Sequence, residues 1–155
     1  MLDKLREEVL TANLMLQSSG LVKLTWGNVS GIDRQKGYIV IKPSGVKYEE
    51  LTADKMVVVD LNGKVIEGDL NPSSDTPTHI EFYKSFKGIG GVTHTHSTFA
   101  TSMCQMGRAL PCGGTTHADH FYGTVPLIRP LTASEVQEDY EGNTGKVIVE
   151  SIKEI

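Results

Sequence analysis

Cysteine is scarce in this chain of 155 residues: Cys104 and Cys112 are the only two, and they do not form the Cys-x-x-Cys spacing of a redox or metal motif. In a reducing compartment they are expected as core or surface thiols rather than as a disulfide. No long apolar run occurs either, so neither a membrane span nor a membrane partner is predicted. The opening Met1-Leu2-Asp3-Lys4-Leu5-Arg6 is charged from its third residue and has no apolar leader, which predicts a cytoplasmic protein. Positive charge is not in excess: 15 Lys and Arg stand against 19 Asp and Glu, a net charge of -4, with no basic run. Nucleic acid is therefore not an expected partner, and any bound phosphate has to be held locally by backbone amides and one or two cations. Internal repeats and low-complexity linkers are also missing.

What is present is enough for one folded domain, since 39% of the residues are hydrophobic. Residues 2–17 place Leu2, Leu5, Val9, Leu10, Ala12, Leu14 and Leu16 near a helical stripe with charges between them, and Gly20 follows as a stop. Residues 21–30 alternate as a strand that exits through Gly27 and Asn28, either a plain turn or a loop able to approach an anion. Residues 37–41 read as a second strand, which ends in Lys42-Pro43-Ser44-Gly45; this is either a turn with a solvated lysine or a phosphate seat. Val57-Val58-Val59 is a buried strand, and Asn62-Gly63 turns it back through Val65 and Ile66 as an antiparallel hairpin. Residues 146–150 read as one more strand, and residues 132–141 as an acidic, exposed helix or loop.

Two stretches carry chemistry. In Ser73-Ser74-Asp75-Thr76-Pro77, Ser74 or Asp75 suits a helix N-cap and Pro77 the first turn, so free amides and the positive dipole end form an anion site. Asp75 either caps that helix or reaches a metal. In Val92-Thr93-His94-Thr95-His96 a strand puts both imidazoles on one face, where two neutral rings can chelate one metal ion. Two ligands are fewer than a catalytic zinc site normally has. Ser97 then caps a further helix, and residues 110–123 form a loop rich in Thr, His and Asp.

Taken in order, Thr25-Trp26-Gly27-Asn28-Val29-Ser30, Ile41-Lys42-Pro43-Ser44-Gly45-Val46, Pro72-Ser73-Ser74-Asp75-Thr76-Pro77, His94-Thr95-His96-Ser97 and Thr115-Thr116-His117-Ala118-Asp119 resemble the class II, zinc-dependent aldolase and epimerase family. The likeness runs over nearly the whole chain and is strongest to the L-ribulose-5-phosphate 4-epimerase branch. It implies a three-layer α/β/α fold with a largely antiparallel central sheet flanked by helices, as a single domain over residues 1–155. It implies a Zn(2+) ion, one per subunit, held by Asp75, His94 and His96, and a sugar phosphate held by Gly27, Asn28, Lys42, Ser44, Gly45, Ser73 and Ser74. Asp119 matches a catalytic acid/base of the epimerases.

The implied reaction interconverts L-ribulose 5-phosphate and D-xylulose 5-phosphate by retro-aldol cleavage and aldol closure on the other aldehyde face, a step of pentose catabolism such as that of arabinose. The family's aldolases typically carry Glu where this chain has Asp75, which favours the epimerases. A fuculose-phosphate-like aldolase and an inactive sugar-phosphate-binding copy are the alternatives. The resemblance further implies a homo-oligomer, tetrameric in the family. It also places a third zinc histidine and a C-terminal tyrosine beyond residue 155, so the domain reads as incomplete at its C-terminus, with weaker zinc binding and little turnover expected.

Overall fold

In the computed structural model, which describes residues 2–153, five strands form one sheet with helices on both faces. Helix α1 (Asp3–Ser18) follows the amphipathic stripe and turns Val9, Asn13 and Leu16 inward. Strands β1 (Asn28–Asp33), β2 (Tyr38–Ile41), β3 (Val57–Asp60), β4 (Val65–Glu67) and β5 (Gly91–His94) lie in the order β4-β3-β2-β1-β5, with every neighbouring pair antiparallel. Short connections account for this topology. The β3–β4 turn is closed by the Asp60 carboxylate, which accepts from the amides of Asn62 and Lys64 at 2.8 and 2.9 Å, and a link so short can join only antiparallel strands.

Period-two alternation divides the core into two layers. Val29, Val40 and Val58 face α1 together with Tyr48 and Met56. Ile32, Ile39, Val57 and Val59 face the other way and meet Ile80 and Tyr83 of α2 (Thr76–Ser85). The three-layer α/β/α arrangement expected from the sequence is therefore the one observed. Beyond β5 come α3 (Thr98–Gln105), α4 (Thr115–His120) and α5 (Ala133–Lys153), the last interrupted at Asp139, whose φ of -162° and ψ of 85° are not helical.

Three local readings of the sequence are corrected. Residues 21–27 form a loop, not the first part of a strand; β1 begins at Asn28, where the strand was expected to end. Leu24 sits at φ 53°, a left-handed conformation that no strand contains. Residues 115–120 are helical where a loop was expected, and His117 Nε2 donates to the Gly123 carbonyl at 2.9 Å to close the segment.

Residues 146–150 belong to α5 rather than to a strand. Their β-branched composition is overridden by packing, since Val147 and Val149 are buried on the helix that crosses α2. Gly145 makes the crossing close. A Cβ there would stand 2.9 Å from Glu81 Cβ and 3.0 Å from Thr78 Cα, so the two helices meet backbone against side chain.

Gly145→Val is expected to destabilise the fold by about 1–3 kcal/mol through overpacking. The urea midpoint should fall with an unchanged m-value; an unchanged midpoint would mean that α5 does not pack on α2 as described.

Candidate active-site cleft

A cleft of about 700 Å³ opens where the ends of β1, β2 and β5 meet the N-terminus of α2 and one side of α5. Its lower end is built from two turns that pair with each other: the Ser44 amide donates to the Asn71 carbonyl at 2.9 Å, and the Ser73 amide to the Lys42 carbonyl at 3.1 Å. Ser44, Gly45, Ser73 and Ser74 thereby converge on one side of the cleft. The other side is the 22–27 loop. Gly27, at φ 79°, is required there, because a Cβ would meet Val22 Cγ1 at 2.5 Å and the His94 carbonyl at 3.0 Å. Tyr48 supports the same loop with its hydroxyl 3.0 Å from the Trp26 carbonyl and 2.9 Å from that of Gly27.

Lys42 lies between these turns and is not the solvated lysine of a simple hairpin. It is 2% exposed, and its ammonium donates to the carbonyls of Thr25 and Pro43 at 3.3 Å each and sits 5.0 Å from the centre of the Tyr48 ring. Among the described residues it forms no ion pair, and burial lowers its pKa from the usual lysine value. A buried cation lodged on neutral groups and lining a cleft attracts an anion strongly, since little water screens it.

The same cleft carries an acid and two imidazoles. Register pairs Asn28 of β1 with His94 of β5, and Asp75 enters from the N-terminus of α2. Asp75 occupies the N-cap position, yet its carboxylate makes no capping bond. Instead Oδ2 accepts from Asn28 Nδ2 at 2.5 Å and from His94 Nδ1 at 2.7 Å. Burial alone would raise the Asp75 carboxyl, but the hydrogen bond and charge of His94 and the amide of Asn28 outweigh it and hold the pKa below the usual value. The same bond raises His94 against the opposing effect of burial. His96 moves the other way, lowered by burial and then by the charge of His94.

The His94 and His96 rings stand 4.9 Å apart between centres, and Trp26 lies 5.3 Å from His96. His96 falls beyond the end of β5, where its amide donates to the Leu21 carbonyl at 3.1 Å. With Asp75 on Nδ1, His94 keeps Nε2 for a ligand, an arrangement typical of histidines that bind metals. Two imidazole nitrogens, with Asp75 hydrogen-bonded to one ring, are donors of the kind zinc accepts. Among the described residues no group of three or more His, Cys, Asp or Glu side chains is set to hold a metal ion.

The structure thus brings Gly27, Asn28, Lys42, Ser44 and Gly45 together with Ser73, Ser74, Asp75, His94 and His96 around one cleft. Asp119 is not among them. It lies exposed on α4 and lines no part of the cleft. Sequence reasoning missed the α5 wall formed by Tyr140, Glu141, Thr144 and Ile148. Glu141 is half-buried there, its carboxyl raised by burial and by the charge of Asp75, and its carbonyl accepts from Thr78 Oγ1 at 2.7 Å. Nothing in the local sequence signalled this wall, because the β-branched run of residues 146–150 concealed the helix. Also missed was His79, 1% exposed beneath the cleft, with Nδ1 2.7 Å from Ser30 Oγ.

Comparison with known proteins gives the cleft a context. Residues 7–154 match the family model for the class II aldolase and adducin N-terminal domain. An L-fuculose 1-phosphate aldolase superposes with a TM-score of 0.81 at 29% identity, over 95% of this chain and 68% of that one. YgbL, an aldolase/epimerase/decarboxylase candidate from Klebsiella pneumoniae, gives 0.61 at 28% identity over 86% of this chain and 57% of its own. An L-fuculose-1-phosphate aldolase from Thermus thermophilus gives 0.75 at 23% identity, over 98% and 72%, and at that identity shows the shared fold alone.

Two outcomes are expected. Lys42→Met should weaken binding of inorganic phosphate, followed by ³¹P NMR titration, by about tenfold or more, the worth of a charged hydrogen bond. Lys47→Met, at an exposed lysine, should leave it unchanged. The second concerns acid stability. Burial, the largest cause, pushes the His79 pKa down to about 4, with the charge of Asp75 opposing. A neutral buried histidine leaves full stability above the unfolded value near 6.5, and stability is lost as pH falls from there toward about 4, because the unfolded chain binds the proton first. On the order of 3 kcal/mol is at stake. Denaturant midpoints of His79→Gln should show a shallower decline across that window than the parent chain.

Proposed function

The chain belongs to the class II aldolase and adducin N-terminal domain family, and from that premise we propose that its cleft binds a small phosphorylated ketose and supports reversible carbon–carbon bond cleavage beside the carbonyl. One observation carries the proposal: a buried cation with no counter-ion among the described residues, Lys42, lines the same cleft as the Asp75–His94 pair. A molecule with a phosphate and a polarisable carbonyl fits such a bipolar cleft, whereas a neutral sugar leaves Lys42 unanswered.

In this reading the phosphate lies among Gly27, Asn28, Ser44, Gly45, Ser73 and Ser74, next to Lys42. His94 and His96 hold zinc through their imidazoles. Asp75 keeps the proton on His94 Nδ1 and fixes the ring, so that it acts from behind the histidine rather than as a third ligand. Zinc, when bound, supplies a Lewis acid for the carbonyl and so stabilises charge that develops on its oxygen. The chain's own residues do the rest. Lys42 and the serines anchor the phosphate and hold the fragments in place. Trp26, 53% exposed, walls the imidazole end, and Glu141, with its raised carboxyl, is suited to exchange a hydroxyl proton.

Of the two reactions open to this arrangement, aldol cleavage of the fuculose-phosphate type is the first reading. The 29% identical aldolase, matched over 95% of this chain, supports it. So does the position of Asp119, the residue that favoured a 4-epimerase in the sequence and that lies outside the cleft of its own chain. Epimerisation of L-ribulose 5-phosphate is the second reading, favoured by Asp75 in place of the aldolases' usual Glu and by the run Thr115-Thr116-His117-Ala118-Asp119.

The purified chain, supplied with zinc, is expected to release dihydroxyacetone phosphate from L-fuculose 1-phosphate. D-xylulose 5-phosphate formed from L-ribulose 5-phosphate would instead select the epimerase. If neither product appears and neither sugar phosphate binds, the proposal fails. Zinc content gives a separate readout: His94→Ala should lose most of the metal that the parent chain retains through gel filtration, and normal zinc in that variant would rule out His94 as a ligand.

A further inference from the structure

Two polar atoms beneath the cleft, Asn28 Oδ1 and His79 Nε2, have no hydrogen-bond partner among the described residues. Their residues are 2% and 1% exposed. An unsatisfied buried polar atom costs about 1–3 kcal/mol, and nearly all such atoms in folded proteins find a partner. Neither side chain can turn to find one. Asn28 Nδ2 donates to Asp75 Oδ2 at 2.5 Å and to Ser73 Oγ at 3.0 Å, and an amide flip would set Oδ1 against the carboxylate. The His79 ring is held through Nδ1 at Ser30 Oγ, which in turn lies 2.7 Å from the Tyr83 hydroxyl. Asn28 and Ser30 are two residues apart on β1, so their side chains share one face of the sheet, and both Asn28 and His79 line the cleft.

We propose that Asn28 Oδ1 and His79 Nε2 together form a hydroxyl-binding subsite in the cleft floor. Its occupant is one uncharged O–H group, which accepts from the imidazole N–H and donates to the amide oxygen. An amide oxygen can only accept, so the occupant has to bring a proton, and a phosphate or carboxylate oxygen does not meet that need. The relay from Tyr83 through Ser30 sets the ring. With both hydroxyls directed toward His79, Nδ1 accepts and Nε2 carries the proton. A sugar hydroxyl, having one proton to give, satisfies both atoms only in this tautomer, whereas water can satisfy them in either.

Water occupies the subsite in the free chain, and a hydroxyl of the bound ketose phosphate replaces it. The replacement rests on the function proposed above; the water does not.

The test has two arms. A high-resolution crystal structure of the free chain, with ¹⁵N NMR of the His79 ring, is expected to show an ordered water within hydrogen-bond distance of both atoms and a proton on Nε2. A metal ion between the two atoms, no density there, or a proton on Nδ1 overturns the subsite. In the second arm, calorimetry compares glycerol 3-phosphate with n-propyl phosphate, which keeps the phosphate and lacks the hydroxyls. The chain should prefer the glycerol ester by about tenfold. His79→Phe, or Ser30→Ala if that variant does not fold, should remove the preference and leave propyl phosphate binding unchanged. Equal affinity in the unaltered chain overturns the ligand half of the proposal. If neither ester binds, the phosphate reading falls, and the first arm alone decides the water subsite.

Discussion

The Asp75 carboxylate, shared between Asn28 and His94, is the contact on which the cleft depends. It joins residues 47 and 19 positions apart in sequence and ties the start of α2 to β1 and β5 at the same point. Each partner has a reason to be there. The helix N-terminus favours a negative charge at Asp75. Antiparallel register places Asn28 opposite His94, so a single oxygen reaches both. In exchange the carboxylate orients one imidazole and one amide, and two elements that could slide past each other are pinned. A capping bond from the same side chain would have stabilised α2 alone and left His94 unguided.

The two ends of the cleft treat charge in opposite ways. At the acid, one carboxylate oxygen accepts from Asn28 and His94, and the pKa falls in spite of burial. At the lysine end the positive charge rests on carbonyl dipoles and an aromatic face, and among the described residues no carboxylate neutralises it. Desolvating a charge without a counter-ion is unfavourable, so Lys42 is held in a state that an incoming anion relieves. The charges that line the cleft are therefore unlike at its two charged sites, and this favours one orientation for a ligand with one anionic end.

Much of this plan was legible in the sequence. The continuously buried, β-branched runs Tyr38–Ile41 and Val57–Asp60, the Asn62-Gly63 turn and the stripe of α1 each express a strong local preference that agrees with the fold. The His-x-His spacing, the serines before Asp75 and the Lys42 turn were likewise visible, because each needs only neighbours in sequence to make its geometry. What failed was decided at a distance. Residues 146–150 look like a strand until Gly145 is seen to seat them on α2. Residues 21–27 alternate, yet Tyr48 takes two of their carbonyls and the backbone at Leu24 leaves the β region. Asp119 belongs to a recognisable run of residues, but nothing in that run indicates how far α4 lies from the cleft. Glu141 and His79 carried no local signal, since their positions depend on helix crossing and on the face of β1.

The close crossing of α5 over α2 has a consequence for how such a protein diversifies. The groups that handle charge are mounted on the sheet and on the turns that end its strands, whereas Tyr140, Glu141, Thr144 and Ile148 reach the cleft from a separate helix seated on Gly145. Tyr140, Thr144 and Ile148 shape the space offered to a guest molecule and make no hydrogen bond to the acid and imidazole pair, whereas Glu141 also acts on that pair through its charge. The shape of the cleft and most of its charge thus rest on different supports, so the one can change while the other is kept.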